Sequence, residues 1–385
     1  MGEESRRRLR FGMVGGGRGS LIGDSHRIAA RLDDRYELVA GALDLDAERG
    51  RAFGVELGVE AARCYPDYRT MIAAEAARPD GVEVVAVVTP NATHVEIAGA
   101  FVEAGVDVIC EKPLATDLAD ARRLAALVER HGVVCAVMYG YSGYPMVRQA
   151  RALVEEGALG TVNIVMTEFA HGHMAVAGER DNPAMAWRVD PAVSGPSYAM
   201  ADTGTHALHL AKYITGQRLS AVAAELRHVV AGRPLEDDAH VLLRFDGGAG
   251  GSLWASAVAA GNRHGLRIRV YGDRAGLEWH QEAPERLTFL PRDAPVQIFE
   301  QGGYGIAPLA ARPARVFMGH PEGYFEAFAN VYRDVAEAVA ARRAGTSLDP
   351  LAATYPGVAD GIAGVAMIDA ALRSAAAGGA WTALD

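Results

Sequence analysis

Leu9-Arg10-Phe11-Gly12-Met13-Val14-Gly15-Gly16-Gly17-Arg18-Gly19-Ser20 is the stretch on which the fold turns. An apolar run, Leu9 to Val14, enters a glycine cluster, and a helical pattern follows from about Asp24 to Leu32. Gly15 and Gly17 take the first two positions of G-x-G-x-x-G, and Ser20 stands in the third. The first glycine allows the tight turn, and the second lets a pyrophosphate approach the backbone. The third needs only a small side chain for helix–strand packing, and the helix beyond aims its N-terminal amides at the phosphates. Glycine-rich turns are common, so the weight comes from the strand before the cluster and the helix after it.

The same alternation continues outward. Tyr36 to Leu43, Val82 to Val88, Val106 to Cys110 and Val133 to Met138 read as strands. Asp46 to Leu57, His94 to Ala104 and Leu118 to His131 read as the helices between them. Val82 to Val88 is apolar throughout, as a strand covered on both faces is. Strands alternating with helices give a parallel α/β sheet, placing a dinucleotide-binding domain at residues 1–138. Beyond Tyr139 the pattern changes. A helix over Met146 to Glu156 ends at Gly157, and then strands crowd together: Val162 to Phe169, Ala221 to Val230, His240 to Phe245, Gly251 to Ala259 and Leu266 to Tyr271. Clustered strands with glycine turns predict one large, mostly antiparallel open sheet in an α+β domain over 139–385. Helices are expected near Tyr198 to Tyr213, Tyr324 to Arg343 and Val358 to Ala376, with a frayed end after Ala375.

The bulk composition excludes several classes of partner. The 385 residues carry 38 Lys and Arg against 48 Asp and Glu, a formal net charge of -10. An acidic chain without a basic stripe is a poor match for nucleic acid or an anionic membrane. Cys64, Cys110 and Cys135 are too few and too scattered for a disulfide framework, and fit reduced thiols in the cytoplasm. Ser5-Arg6-Arg7-Arg8-Leu9-Arg10 faintly resembles a twin-arginine export signal but lacks the apolar stretch that such a signal needs. It reads as a short solvated basic tail.

Further candidates lie at the carboxyl ends of the predicted strands, where open α/β sheets place their ligands. Asp44 ends the second strand; an acidic residue there suits the two ribose hydroxyls of NAD and repels the 2′-phosphate of NADP. The structural alternative is that Asp44 caps the next helix, and Arg49 leaves NADP open. Thr89, Pro90, Asn91 and His94 follow the third strand, and Glu111, Lys112 and Pro113 the fourth. Thr89 and Asn91 also suit a plain turn.

Together with Asp202-Thr203-Gly204-Thr205-His206, these motifs resemble the glucose–fructose oxidoreductase, inositol dehydrogenase and rhizopine catabolism family (Gfo/Idh/MocA), in motif order and over nearly the whole chain. Gly143 to Arg148, Trp187-Arg188 and Gly319 to Gly323 look most like its levoglucosan dehydrogenase branch. The resemblance implies a Rossmann domain, a second α/β domain whose open sheet face mediates dimers or tetramers, and hydride transfer between NAD(P) and a carbinol carbon of a sugar or cyclitol. It implies that Gly15, Gly17, Arg18, Gly19, Ser20, Asp44, Thr89, Pro90, Asn91, His94, Glu111 and Lys112 serve the cofactor. Lys112, Asp202 and His206 match the family's catalytic trio. The lead-in Ser194-Gly195-Pro196-Ser197-Tyr198 is poorer in glycine than in relatives, and Gly140 and Tyr141 replace polar substrate contacts, which leaves the sugar open.

The chemistry fits those residue types. Oxidising a secondary alcohol needs a base for the hydroxyl proton and a donor for the developing alkoxide. His206 suits the first role and Lys112 the second. Asp202, four residues before His206, shares its face if both lie on a helix; an ordinary helix pair is the plainer alternative. Tyr141, Trp187 and Arg188 are candidate sugar contacts, because aromatic faces stack on pyranose C–H surfaces and arginine donates to hydroxyls. Glu168 and His171 are further polar candidates, and His209 either lines the same pocket or is a core histidine. A zinc site from His171, His173, His206, His209 and Asp202 is the metal alternative; hydride transfer needs no metal. The rival functions are an NADPH-dependent keto-sugar reductase and a non-catalytic dinucleotide or sugar sensor.

Overall fold

The computed structural model describes residues 7–178 and 183–384; Ser5 and Arg6 of the basic tail lie outside it. The first unit holds the described residues up to Ala115, Ala119–Met138 and Phe328–Gly361. Its sheet has five parallel strands, β1 (Leu9–Gly15), β2 (Tyr36–Ala42), β3 (Val84–Val88), β4 (Asp107–Cys110) and β5 (Cys135–Val137), in the order β2-β1-β3-β4-β5. β3 and β4 are buried at every residue, which explains their unbroken apolar runs. β1 lies between β2 and β3, so the loops leaving β1, β2, β3 and β4 open side by side along one edge of the sheet.

The residues 328–361 return to this unit as its polar clasp. Arg342 Nη2 reaches the buried Asp107 carboxylate at 2.7 Å, and Arg343 Nη1 reaches Glu83 at 2.9 Å. The basic tail is likewise fastened: Arg7 and Arg10 pair with Glu83. Burial pushes the Glu83 carboxyl up, but Arg7, the Arg10 amide and Arg343 together outweigh it and hold it below the ordinary range. So Arg7 and Arg10 are structural cations and not a solvated tail.

The second unit comprises Thr116–Leu118, the described part of Tyr139–Ala327, and the described residues from Ile362 on. It is built on a nine-stranded sheet of β6 (Val162–Ala170), β7 (Leu219–Arg227), β8 (Asp238–Phe245), β9 (Gly250–Ser256), β10 (Leu266–Gly272), β11 (Ala275–His280), β12 (Arg286–Pro291), β13 (Gln297–Glu300) and β14 (Thr382–Ala383). Their order is β13-β12-β11-β10-β6-β9-β8-β7-β14, and every pairing is antiparallel except β6 with β9. β8 shows why the sheet has two unlike faces: Ala239, Val241, Leu243 and Phe245 are buried, while His240, Leu242 and Arg244 are exposed. The inner face joins Val147, Leu153, Leu208 and Leu210 of the helices Pro145–Glu155 and Thr205–Thr215 in one apolar core.

Four strands beyond those expected, β11, β12, β13 and β14, extend the sheet, and the described residues after Ala375 are not frayed. Ser374 Oγ donates to the Ala380 carbonyl at 2.7 Å and accepts the Ala224 amide at 2.9 Å, and β14 then adds to β7. Trp279 is fully buried in the core, its ring tilted against Tyr144 at 5.3 Å between centroids, and donates to the Pro284 carbonyl at 3.2 Å. Its replacement by alanine leaves a large cavity and strands that carbonyl, which costs about 3–5 kcal/mol. Denaturant unfolding of Trp279→Ala by circular dichroism is expected to show a lower midpoint and a near-native fold before the transition.

Candidate functional site

Each unit presents its own set of chemically equipped residues. In the first, three glycines let segments approach more closely than a β-carbon allows. A Cβ on Gly15 (φ +77°) would lie 2.5 Å from the Val88 carbonyl oxygen and 2.8 Å from Thr89 Cγ2. One on Gly17 would lie 2.5 Å from the Leu43 carbonyl oxygen and 3.5 Å from Asp44 Oδ2. One on Gly23 would lie 2.5 Å from the Gly16 carbonyl oxygen. The glycine turn is therefore pressed against the ends of both neighbouring strands, bringing Gly15, Gly17, Asp44 and Thr89 together.

Ser20 does not take the packing role that its place in the motif predicts. The helix starts earlier, at Leu21–Leu32, and Ser20 is its N-cap, accepting the Gly23 amide at 3.1 Å. The close helix-to-turn approach falls on Gly23, which no motif position pointed to. Arg18 folds back to pair with Glu56, its guanidinium 5.0 Å from the Phe53 ring centroid, while Gly19 (φ +80°) has open space where a Cβ would be.

Asp44 is not the cap of the following helix. Asp46 caps it, accepting the Glu48 and Arg49 amides, while Asp44 accepts the Asp46 amide at 2.9 Å and Arg49 Nη2 at 2.8 Å. The Arg49 guanidinium, with the Asp46 amide, holds the Asp44 carboxyl below its ordinary range. At neutral pH this is an ionised acceptor beside Gly17, with the nearest arginine already engaged on it.

Thr93 Oγ1 lies 2.7 Å from Thr89 Oγ1 and 2.8 Å from the Pro90 carbonyl, fixing the turn that carries Asn91. His94 and Glu111 stand behind the loops, not on the open edge. His94 is fully buried between the two loops, its Nδ1 2.8 Å from the Pro113 carbonyl and its Nε2 2.8 Å from the Thr89 carbonyl. Burial, only partly offset by those carbonyls, lowers its basicity. Glu111 is buried and accepts the Lys112 amide at 3.1 Å. Lys112 is half-buried, and its bond to Pro113 is cis.

In the second unit the segment before His206 is not a plain helix. Met200–Gly204 forms one wide π-helical turn, closed by the Thr205 amide on the Met200 carbonyl, and the α-helix Thr205–Thr215 follows. Such bulges concentrate at functional sites. Asp202 lies on the wide turn and is half-buried. Glu236, which no motif singles out, holds the start of that turn: its buried Oε1 accepts Ser197 Oγ at 2.6 Å, the Tyr198 amide at 3.1 Å and the Met200 amide at 3.2 Å. Burial nevertheless pushes its carboxyl above the ordinary range.

Around His206 the rings form a wall. Tyr139 and Tyr141 meet it edge-on at 5.6 and 4.7 Å between centroids, and Phe169 lies tilted to it at 5.9 Å. His209 is buried and stacked on Tyr139 at 4.4 Å. Tyr141 Oη lies 2.9 Å from Nε2 of His264, and Phe169 also touches His171, which stacks on His173 at 4.5 Å. His264, absent from the sequence candidates, closes this wall from the strand-to-strand loop before β10. Trp187 and Arg188 form a half-buried turn with the guanidinium 4.8 Å from the indole centroid. Glu168 pairs with Arg267 next to it in the sheet register, on the alternate face from the buried Thr167 and Phe169 that flank it. Among the described residues, no group of three or more His, Cys, Asp or Glu is arranged to hold a metal ion.

Burial pulls the basicity of His264 down, with His171 and His173 adding to it, and its pKa falls to about 4 from 6.5. The unfolded chain therefore takes this proton near pH 6.5 while the folded chain resists it to about 4, so acid favours unfolding. The stabilisation is complete above 6.5 and is lost as pH falls through about 4. His264→Gln is expected to flatten the fall in denaturation midpoint between those limits; an unchanged slope argues that His264 titrates normally.

Two family models match the chain. One described as the oxidoreductase family with an NAD-binding Rossmann fold covers residues 9–139, and one for the GFO/IDH/MocA C-terminal domain covers 147–278. The oxidoreductase YfiI of Bacillus subtilis is 42% identical over 97% of this chain and 96% of its own. An inositol dehydrogenase homolog from Azotobacter vinelandii, solved with NAD+, is 44% identical with a TM-score of 0.95 over 100% of both chains; with NADH and myo-inositol it gives 0.92 over 98% of both. Levoglucosan dehydrogenase, solved with NADH and levoglucosan, is 26% identical with a TM-score of 0.81 over 98% of this chain and 100% of its own. The likeness to the inositol dehydrogenase homolog is thus much stronger than the one to the levoglucosan branch that the local motifs suggested.

Proposed function

The chain belongs to the Gfo/Idh/MocA family of NAD-binding oxidoreductases, and from that premise we propose that it oxidises a ring hydroxyl of inositol or a related cyclic sugar, using NAD. The likeness to the homolog solved with NADH and myo-inositol supports the substrate class. The observation that carries the choice of cofactor is the Asp44 carboxylate beside Gly17, kept ionised by Arg49. It suits ribose hydroxyls and opposes a 2′-phosphate.

When bound, the nicotinamide supplies the hydride acceptor. The turn Gly15–Gly19 and the amides at the start of the helix Leu21–Leu32 hold the pyrophosphate, with Arg18, Ser20, Thr89, Pro90 and Asn91 around it. His94 and Glu111 shape these loops from behind. Lys112 donates to the developing alkoxide, His206 takes the hydroxyl proton, and Asp202 orients this pair. The assignment of the trio rests on the family resemblance and on what each side chain can do chemically. Tyr141 and His209, with Trp187 and Arg188, belong to the sugar-binding set. The outer face of the second sheet exposes Ile164, Leu242 and Ile298, which supports homodimers or tetramers through it. The three free thiols suit the cytoplasm, and no helix of the described residues is long and apolar enough to cross a membrane.

Absorbance of reduced nicotinamide with inositols, sugars and anhydrosugars, in either cofactor, tests the proposal. Turnover with NAD is expected, and Lys112→Ala and His206→Ala should each lower kcat by about 10²- to 10⁴-fold. Nucleotide binding without turnover in either direction across the panel would identify a sensor instead. Asp44→Ser is expected to raise the KM for NAD and to shift the NADP-to-NAD ratio of kcat/KM upward by roughly tenfold; an unchanged ratio would remove Asp44 from cofactor selection.

A further inference from the structure

The first unit contains a buried polar chain behind the turn that carries Lys112. His26, on the helix that follows the glycine turn, has no exposed surface. Its Nε2 lies 2.8 Å from Glu111 Oε1 and its Nδ1 2.6 Å from the Tyr332 hydroxyl. The other oxygen of Glu111 accepts the Lys112 amide at 3.1 Å. An ionised carboxylate only accepts, so Nε2 carries the proton. At Nδ1 the Tyr332 hydroxyl, which can donate or accept, completes the second bond. The phenol is itself held in place. Phe11 and Tyr36 meet its ring edge-on at 5.9 and 5.3 Å, and Tyr36 Oη donates to the Tyr332 carbonyl at 2.7 Å. Phe328 meets the imidazole edge-on at 5.8 Å.

A fully buried imidazole needs partners for both nitrogens, and this one finds them in a phenol and a carboxylate that belong to distant parts of the chain. The carboxylate it holds is the residue before Lys112. We infer that His26 is a positioning residue: with Tyr332 behind it, it fixes the rotamer of Glu111, and Glu111 fixes the backbone of Lys112. The helix that begins at the glycine turn thereby sets the lysine turn at the end of β4, two strands away in the sheet. This rests on the proposed role of Lys112.

Glutamine and asparagine separate the two nitrogens, because a Gln amide reaches where Nε2 lies and an Asn amide where Nδ1 lies. His26→Gln therefore keeps the donor to Glu111, and His26→Asn loses it. His26→Asn is expected to lower kcat by about 10- to 100-fold, with the NADH dissociation constant changed less than about threefold, as a lost bond to a charged group away from the cofactor predicts. His26→Gln should restore most of kcat. Equal losses in the two variants, or none in either, would overturn the inference, since packing alone does not distinguish the two amides. Amide hydrogen exchange at Lys112 reads the clamp without catalysis: it should quicken in His26→Asn and stay near wild type in His26→Gln. If Lys112→Ala keeps its turnover, the assignment of Lys112 falls while the exchange result still decides the clamp. Should His26→Asn not fold, Tyr332→Phe removes the hydroxyl and keeps the ring. Faster exchange at Lys112 in that variant supports the chain of bonds, and unaltered exchange overturns it.

Discussion

The first unit depends on three missing β-carbons. At Gly15, Gly17 and Gly23 the glycine turn lies so close to the ends of β3 and β2, and to its own helix, that any side chain would fall within 2.5 Å of a carbonyl oxygen. Real β-carbons do not approach that near, so the constraint is steric before it is catalytic. Its effect is chemical. Once the turn is drawn in, its neighbours are an ionised Asp44 on one side and the hydroxyl-bearing Thr89 turn on the other. The carboxylate and the glycine turn to which the proposed function gives ribose and phosphate are thus placed by one packing requirement.

A second constraint is burial of charge. Glu83 and Asp107 sit at the start of inner strands with almost no exposure, where an unpaired carboxylate is costly. The residues 328–361 meet that need with Arg342 and Arg343, and the same segment delivers Tyr332 to His26. This explains why the first unit is discontinuous in sequence. The sheet-forming residues alone leave two acids and a histidine without partners, and chain from the far end supplies them. Such pairs are weak evidence of net stability, but removing one partner is strongly destabilising.

What could be read from the sequence follows from the same physics. β3 was legible because a strand covered on both faces must be apolar throughout, and Leu118–His131 because a helix covered on one face carries a period. β11, β12 and β13 were not. Ala275–His280 is buried without clean alternation, and Gln297–Glu300 is a four-residue edge strand with its two apolar residues adjacent, so neither shows a period of two. The glycine motif located the turn, yet its third position misled: Ser20 has the right size for packing but is better used as a cap, and Gly23 takes the close contact. His264, Glu236 and His26 carried no local signal at all, because each acts on residues far away in the chain.

The relation of Asp202 to His206 shows how much a spacing leaves open. Four residues on an α-helix put two side chains on one face. Here the first of them lies on a turn closed by an i to i−5 bond, so the backbone makes a wider step before Thr205–Thr215 begins. A wide turn leaves amides at its start that the helix cannot satisfy by itself. Glu236 accepts two of them and the Ser197 hydroxyl on one oxygen, and burial that raises its pKa makes those donors all the more necessary to an ionised carboxylate. The setting of Asp202 is therefore a property of a carboxylate far downstream, on the loop entering β8, as much as of its distance in sequence from His206.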